Sequence, residues 1–287
     1  MSGQAISFDA DAARTSGLPK VPARTRRRLA LRLPLAAWLR GLAAPAAVLA
    51  ALEAAVRIGW VPAHLMPAPS DLFHTLLELA DGPLWRHIAA SAKRVFAGFA
   101  IGALLGIGFG ALVGLSKLAE DYIEPSFQAL RAVPGLAWVP LLLIWLGIDE
   151  TSKITLIAIG AFFPVYLNLV AGIRNVDRKL VEVGSMYGLS HFALIRRIFI
   201  PAAKPYLFTG LRSGLSMAWL CVVAAELLAA TQGIGYLLTD GREVSRPDLV
   251  LVAIMVLAVM GKLTDTVLKY WEDRSLAWRD VYEGAAS

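Results

Sequence analysis

The chain has 287 residues, 57% of them hydrophobic and only 17% charged, with a mean hydropathy of +0.61. Soluble domains run about 45–50% apolar and about 25% charged, so this composition excludes an ordinary soluble globule and points to a membrane protein. The single cysteine, Cys221, excludes an internal disulfide and a cysteine-rich metal site, and reads as a small apolar helix residue.

Residues 1–34 form a basic N-terminal tail whose first 23 residues are small, polar and proline-containing, the composition of a disordered segment. The stretch TRRRLALRLPLAAWL has the look of a secretory or twin-arginine signal. The apolar segment that follows is longer than an h-region and is interrupted by Glu53 and Arg57, so a retained first span is expected. A basic tail beside a span is also what anionic inner-leaflet lipid attracts.

A membrane-spanning helix takes about 20 mostly apolar residues. Six such segments occur, at 36–59, 95–115, 122–147, 154–173, 205–230 and 249–271, defining an all-α integral membrane domain over 35–273 and a short C-terminal tail over 274–287. With the N-terminus inside, the inner segments carry nineteen Lys and Arg: seven in the tail with Arg40 just after it, Lys117, six across 174–204 and four from Lys262 onward. The outer segments carry seven, which places both termini in the cytoplasm. Lys93 and Arg94 fall on the unfavoured side of this count.

Between the first two spans, PSDLFHTLLELA predicts a short amphipathic helix with Ser70 or Asp71 as N-cap and Leu72, Phe73, Leu76 and Leu77 on one face. His74 and His87 read as interfacial polar residues, with no carboxylate or cysteine cluster at metal spacing beside them. The glycine-rich second span, GFAIGALLGIGFGALVG, predicts close packing against protein along one face. In the third span, Pro134 and Pro140 each remove a backbone donor and can kink or break the helix. Broken backbone at membrane depth is tolerated where it faces protein or a water-filled cavity. Arg131, beside that break, suits either attraction of an anionic solute or snorkelling to the inner interface.

Asp149 and Glu150 form a short acidic outer loop, either a solvated turn or a docking point for a basic partner. Glu226, near the end of the fifth span, either lines a gate or caps nearby backbone. The QGIGY segment after it (232–236) is too apolar for an exposed loop and predicts a re-entrant, gate-closing loop or an interfacial turn. Trp138, Trp145 and Trp219 fit packing or interface positions, Trp138 also standing near Arg131 in the candidate pathway. In the last span, Lys262 and Asp265 must lie near an interface or pair with each other.

No GxxxxGK[ST], HExxH or GxSxG pattern is present, so the chain carries no phosphate-binding loop and no recognisable catalytic motif. The longest inner loop, 174–204, is set between apolar runs. KLVEVGSMYGLSHFALIRRIFIPAAKP predicts two short helices around Gly188, with Leu189–Ser190 as the turn, Ser190 as N-cap of the second and Pro201 as its end. Val181, Met186, Tyr187, Phe192 and Ile195 would be costly in water; either a partner's groove or the chain's own spans must cover them.

Glu182, Gly188, Ile198, Ile200 and Pro201 stand in the register of the EAA motif of ABC importer permeases, departing from it at Val183 and Gly184, where the motif has two alanines. MPAPSDL (66–72), LRAVPGLAWVPLLLIWLGIDETSK (130–153), GIRNVDRKLVE (172–182), MAWLCVVAAE (217–226), GIGYLL (233–238) and GKLTD (261–265) extend the resemblance over about 60–270. Together they are most similar to aliphatic sulfonate permeases, within the group that serves sulfonates, taurine and nitrate.

This resemblance implies a type I ABC importer permease fold of about six transmembrane helices, multi-pass in the bacterial inner membrane. It also implies a second copy of the permease, two ABC ATPase subunits and a periplasmic solute-binding protein. ATP and magnesium would reside on the ATPase, with no cofactor on this chain and no nucleic-acid partner. The loop residues Glu182, Gly188, Leu189, Ser190, Ile198 and Pro201 would seat in the ATPase as a coupling helix. A stand-alone secondary carrier is the rival architecture, but no clear internal repeat and few candidate coupling carboxylates accompany it.

Overall fold

Five glycines at four-residue intervals, Gly98, Gly102, Gly106, Gly110 and Gly114, line one face of the second long helix and determine how the bundle is built. In the computed structural model, which describes residues 35–277, this helix (α3, Leu84–Leu115) lies directly against α6 (Glu150–Arg174). A Cβ added at Gly98 would fall 2.6 Å from Ile157, and one at Gly106 would fall 2.9 Å from the Phe162 carbonyl. Where lipid is as apolar as any side chain, close backbone approach supplies the packing attraction. The close packing expected of this span is what the structure shows.

The other face of α6 meets α9 (Ile200–Ala229) in the same way. Gly160 and Gly172 of α6 lie under Cys221 and Tyr206, while Gly210 and Gly214 of α9 lie under Asn168 and the Ala161 carbonyl. Helix α6 is therefore the middle layer of a three-helix core, and Ile157, Ala161, Val165 and Tyr166 along it are almost fully buried.

Helix α1 spans Leu35–Arg57 and coincides with the expected first span. Helix α2 (Pro69–Ala80) forms where the amphipathic pattern predicts it, with two differences. Its N-cap is Ala68, because the Ser70 hydroxyl donates to Glu53 (2.9 Å) and accepts from Arg57 (2.8 Å). Its apolar residues also split between two sides: Leu76 and Leu79 pack on the core, whereas Phe73 and Leu77 are exposed. Thr75 anchors the helix by donating to Asp248 (2.8 Å).

Helix α4 (Lys117–Ala132) starts at Ser116, whose hydroxyl accepts from the Ala119 N–H. It stops at Val133–Pro134, and the chain resumes as a 3-10 turn (Gly135–Trp138) leading into α5 (Val139–Leu146), bent by 88° from α4. The expected third span is thus broken at Pro134. Pro140 lies in the first turn of α5, where its missing N–H costs nothing.

Two short helices, α7 (Arg178–Met186) and α8 (His191–Leu194), form the connection between α6 and α9. Two more helices, α10 (Ile234–Glu243) and α11 (Pro247–Ser275), complete the described chain. Helix α11 is held to α9 by Trp219, whose Nε1 donates to Thr264 (3.0 Å), and by Arg212, whose Nε donates to Asp265 (2.9 Å) and whose Nη1 donates to Glu272 (3.3 Å). Asp265 thus finds its partner on α9, not in Lys262: one turn away, Lys262 lies on its own helix, whereas the guanidinium across the interface makes a two-pronged bond.

Helices α3, α6, α11 and the continuous helix His191–Leu228 are each long and apolar enough to cross a membrane, and the bent pair Lys117–Ala132 plus Gly135–Leu146 makes a fifth. Helix α1 stands outside that count. No strand occurs among the described residues. The tail 1–34 and the end of the C-terminal tail, 278–287, lie outside them.

Candidate functional site

The connection between α6 and α9 is closed by local backbone chemistry. Asp177 caps α7 by accepting from the Lys179 N–H (2.9 Å), and Arg178 donates to Glu182 (3.0 Å) one turn on. At the other end Gly188 takes φ +72°, a conformation that favours glycine. The Gly188 N–H reaches the Ser185 carbonyl (2.9 Å) and the Leu189 N–H reaches the Gly184 carbonyl (3.1 Å), the paired bonds of a Schellman cap. The Ser190 hydroxyl then accepts from the Ala193 N–H (3.3 Å), as an N-cap should.

Gly184 is buried, and a Cβ there would fall 2.7 Å from both Ile198 and Leu194. The departure from alanine at this position brings the two short helices closer together. Ile198 serves as the floor beneath α7.

Pro201 does not end the second helix. Residues Ile195–Phe199 form a π turn in which the Ile200 N–H bonds to the Ile195 carbonyl, and the helix runs on through Pro201 into α9. The wider turn just before Pro201 relocates the hydrogen bonding that a proline ring disrupts.

On the outside of this pair, Met186, Tyr187 and Phe192 are 86%, 84% and 73% exposed. Val181 and Ile195 are half-buried against the chain itself. The apolar set is therefore divided, with the three at the tip left uncovered.

At the opposite end of α6 and α9 lies a buried polar cluster. His87, Ser91 and Arg94 fall at i, i+4 and i+7 on one face of α3 and are all buried. Arg94 donates to Glu226 at the end of α9 (2.7 Å), to Glu150 at the start of α6 (2.6 and 2.7 Å) and to the Gln232 carbonyl (2.5 Å). The Ser91 hydroxyl donates to Glu226 and accepts from the Ile234 N–H (2.8 Å). Glu226 also accepts from the Gly235 N–H (2.8 Å), and His87 Nδ1 accepts from the Gly233 N–H (3.0 Å). Lys153 completes the cluster on Glu150 (3.2 Å).

Two cations face two carboxylates, and no buried side-chain polar atom among the described residues lacks a partner. The QGIGY glycines make room for this: Gly233 has φ +137°, and a Cβ on it would fall 2.5 Å from Glu226 Oε1. Within the segment Gln232 is exposed, while Gly233, Ile234 and Gly235 are buried. The segment wraps one carboxylate, and Glu226 caps its backbone. The sequence counted Arg94 as an unfavourable outer charge and His87 as an interfacial one, and Glu150 as part of a surface turn. The structure buries Arg94 and His87 in one cluster, and Glu150, itself exposed as a surface turn residue should be, reaches its carboxylate in to Arg94.

A third feature lies at the break after α4. Arg131 in the last turn of α4 and Trp138 at the end of the 3-10 turn line a cleft of about 300 Å³ with α6 and α9. Arg131 is exposed and makes no ion pair or hydrogen bond among the described residues. Glu226 is not part of this cleft.

A glycine-packed helical bundle with several membrane-length helices is the architecture of a multi-pass membrane protein. The chain belongs to the family of binding-protein-dependent transport system inner membrane components, which matches residues 98–276. It is 43% identical over 248 residues to the putative aliphatic sulfonates transport permease protein SsuC of Bacillus subtilis, covering 86% of this chain and 90% of that one. It is 36% identical over 219 residues to the taurine transport system permease protein TauC of Escherichia coli (74% and 80% covered). It is 38% identical over 192 residues to the nitrate import permease protein NrtB of a Synechocystis strain (67% and 70% covered). Among solved structures, an inward-facing form of the MetNI methionine ABC transporter aligns with a TM-score of 0.57 over 69% of this chain and 96% of the other, at 16% identity, a likeness of fold.

Proposed function

We propose that this chain is the permease subunit of an ATP-driven importer for aliphatic sulfonates in a bacterial inner membrane, working as a pair of copies with two ATPase subunits and a periplasmic binding protein. The observation that carries the reading is the tip of the α7–α8 pair: three large apolar side chains left uncovered on a helix pair that its own caps and Gly184 make rigid. Such a knob fits the helix-in-groove mode of docking. Glu182, Gly188, Leu189, Ser190, Ile198 and Pro201 shape the knob, and the ATPase receives it on the cytoplasmic side. ATP and magnesium are held there, so nucleotide-driven closure reaches the permease as motion of α6 and α9. Arg131 and Trp138 belong to the solute pathway, and Glu226 holds the α9–α10 connection shut at the far end.

The choice of sulfonate follows the relatives, of which the sulfonate permease is more similar than the taurine or nitrate ones. The test is ATPase activity of the reconstituted permease–ATPase complex with its binding protein. Stimulation by binding protein loaded with an alkanesulfonate is expected. Stimulation by taurine or nitrate alone reassigns the solute, and failure of the permease to co-purify with an ATPase overturns the importer reading.

A further inference from the structure

We infer that the cleft at the α4 break is a subsite for an amphiphilic anion, with the sulfonate head on Arg131 and the aliphatic tail along Trp138, Phe163 and Met217. This deepens the importer reading and rests on it. The cleft opens because the chain turns by 88° at Val133–Pro134, leaving a gap that α6 and α9 wall off. Its volume of about 300 Å³ is at the small end of the roughly 300–1,000 Å³ of small-molecule pockets.

Arg131 is the one charged side chain among the residues lining it, and the rest are apolar or glycine, proline and Cys221. A guanidinium has five donors and no acceptor, a fork suited to a flat face of anionic oxygens. The carboxylate whose charge reaches Arg131 from earlier on α4 is Glu124, and it already accepts from the Tyr166 hydroxyl and from Gln128 (3.2 Å). Arg131 is thus left for an outside anion.

The lining also discriminates among anions. Nitrate has no tail to cover the apolar walls. Taurine carries an ammonium at its far end, and no acidic side chain lines the cleft to receive it. A plain alkanesulfonate satisfies both halves. Each methylene it buries should strengthen binding about threefold to fourfold.

Cys221, the sole thiol of the chain, lies on the α9 wall of this cleft and supplies the probe. In vesicles containing the complete transporter, Cys221 is titrated with two methanethiosulfonates, one bearing an ethylsulfonate and one a trimethylammonium. Each forms a mixed disulfide with the thiolate and releases methanesulfinate. Rates are followed by the mass of this chain, in both nucleotide states, and divided by each reagent's rate with a free small thiol.

The anionic reagent is expected to be about tenfold favoured, and Arg131→Gln should bring the ratio near unity. Hexanesulfonate should protect, butanesulfonate less, and taurine and nitrate not at all. Because Cys221 is only 3% exposed, the same titration is run on Leu220→Cys in a Cys221→Ser background, Leu220 lining the same cleft at 55% exposure. An unchanged ratio in Arg131→Gln overturns the inference, as does equal protection by taurine or absence of labelling at both positions. Sulfonate-stimulated ATPase activity, measured in the same vesicles, separates the two readings. Stimulation without protection removes the cleft and leaves the importer; protection without stimulation leaves the cleft and removes the assigned transport.

Discussion

Arg94 Nη1 stands 2.7 Å from Glu226 Oε1, and both side chains are shut away from solvent at the meeting point of α3, α6 and α9. Removing one partner of such a pair leaves an uncompensated buried charge, at a cost of about 3–5 kcal/mol. Arg94→Ala should therefore be among the most damaging single changes outside the glycine face. Glu226→Gln keeps an acceptor for the Gly235 N–H and should lose less, about 1.5–3 kcal/mol. Thermal unfolding of the purified permease in detergent checks both, and an Arg94→Ala variant as stable as the wild type would falsify the role given to this pair.

Gly233→Ala should reproduce much of the same damage without touching a charge. The residue sits at φ +137° with the Glu226 carboxylate where its Cβ would go. Gly135→Ala is the control, since nothing lies within 4 Å of a Cβ there and its φ is ordinary. Equal melting behaviour of the two variants would mean that the carboxylate moves aside freely.

Along α3, Gly106→Ala and Gly108→Ala differ by two residues and face opposite ways. A Cβ at Gly106 meets Phe162 and Val165, whereas at Gly108 it meets nothing within 4 Å. Overpacking should cost the first about 1–3 kcal/mol, while the second should gain up to about 1 kcal/mol from helix propensity. Comparing their unfolding temperatures tests which face of α3 lies against α6.

At the loop, Met186→Ala with Tyr187→Ala should leave the melting temperature of the isolated permease unchanged, because both side chains are uncovered. The same double variant should lose co-purification with the ATPase by tenfold or more, roughly 1.4 kcal/mol or above. Retained co-purification would place the docking surface elsewhere.

Gly188→Asp sets a non-glycine residue at φ +72° and loads the cap with a charge. The strain is only about 1–2 kcal/mol, so the permease should fold. Uptake should fall while ATPase activity persists. Normal transport by this variant would count against the loop as the coupling element.

Local features of this fold were legible in the sequence. The Gly188 cap, the Ser190 N-cap, the glycine-lined span and the break at Pro134 each depend on residues within a few positions of one another. The Arg94–Glu226 pair joins residues 132 apart, and nothing near either one announces the other. Counting Arg94 by its place in the sequence put it in a polar loop, because the sequence does not show that α3 begins at Leu84, one turn before His87. Pro201 misled for a different reason. The rule that proline ends a helix assumes a fixed hydrogen-bonding period, and the π turn at Ile195–Phe199 changes that period just ahead of it. Gly184 departs from the motif's alanine, and its close approach to Leu194 and Ile198, residues beyond the turn, is the physical reason.

The two carboxylates that Arg94 holds are the far ends of the two helices that leave the α7–α8 loop. Helix α6 runs back from the loop to Glu150 over 25 residues, about 37 Å at 1.5 Å per residue, and α9 (30 residues) runs from the loop to Glu226 in its last turn. Loop and guanidinium thus grip opposite ends of one pair of rods that glycine contacts keep from sliding apart. A push at the loop has two outlets: the pair swings as a unit, or one of its tips slips from Arg94. On the proposed coupling role, the arrangement is a pair of tongs, pinned at the jaws by a single side chain and handled from the opposite end of the bundle.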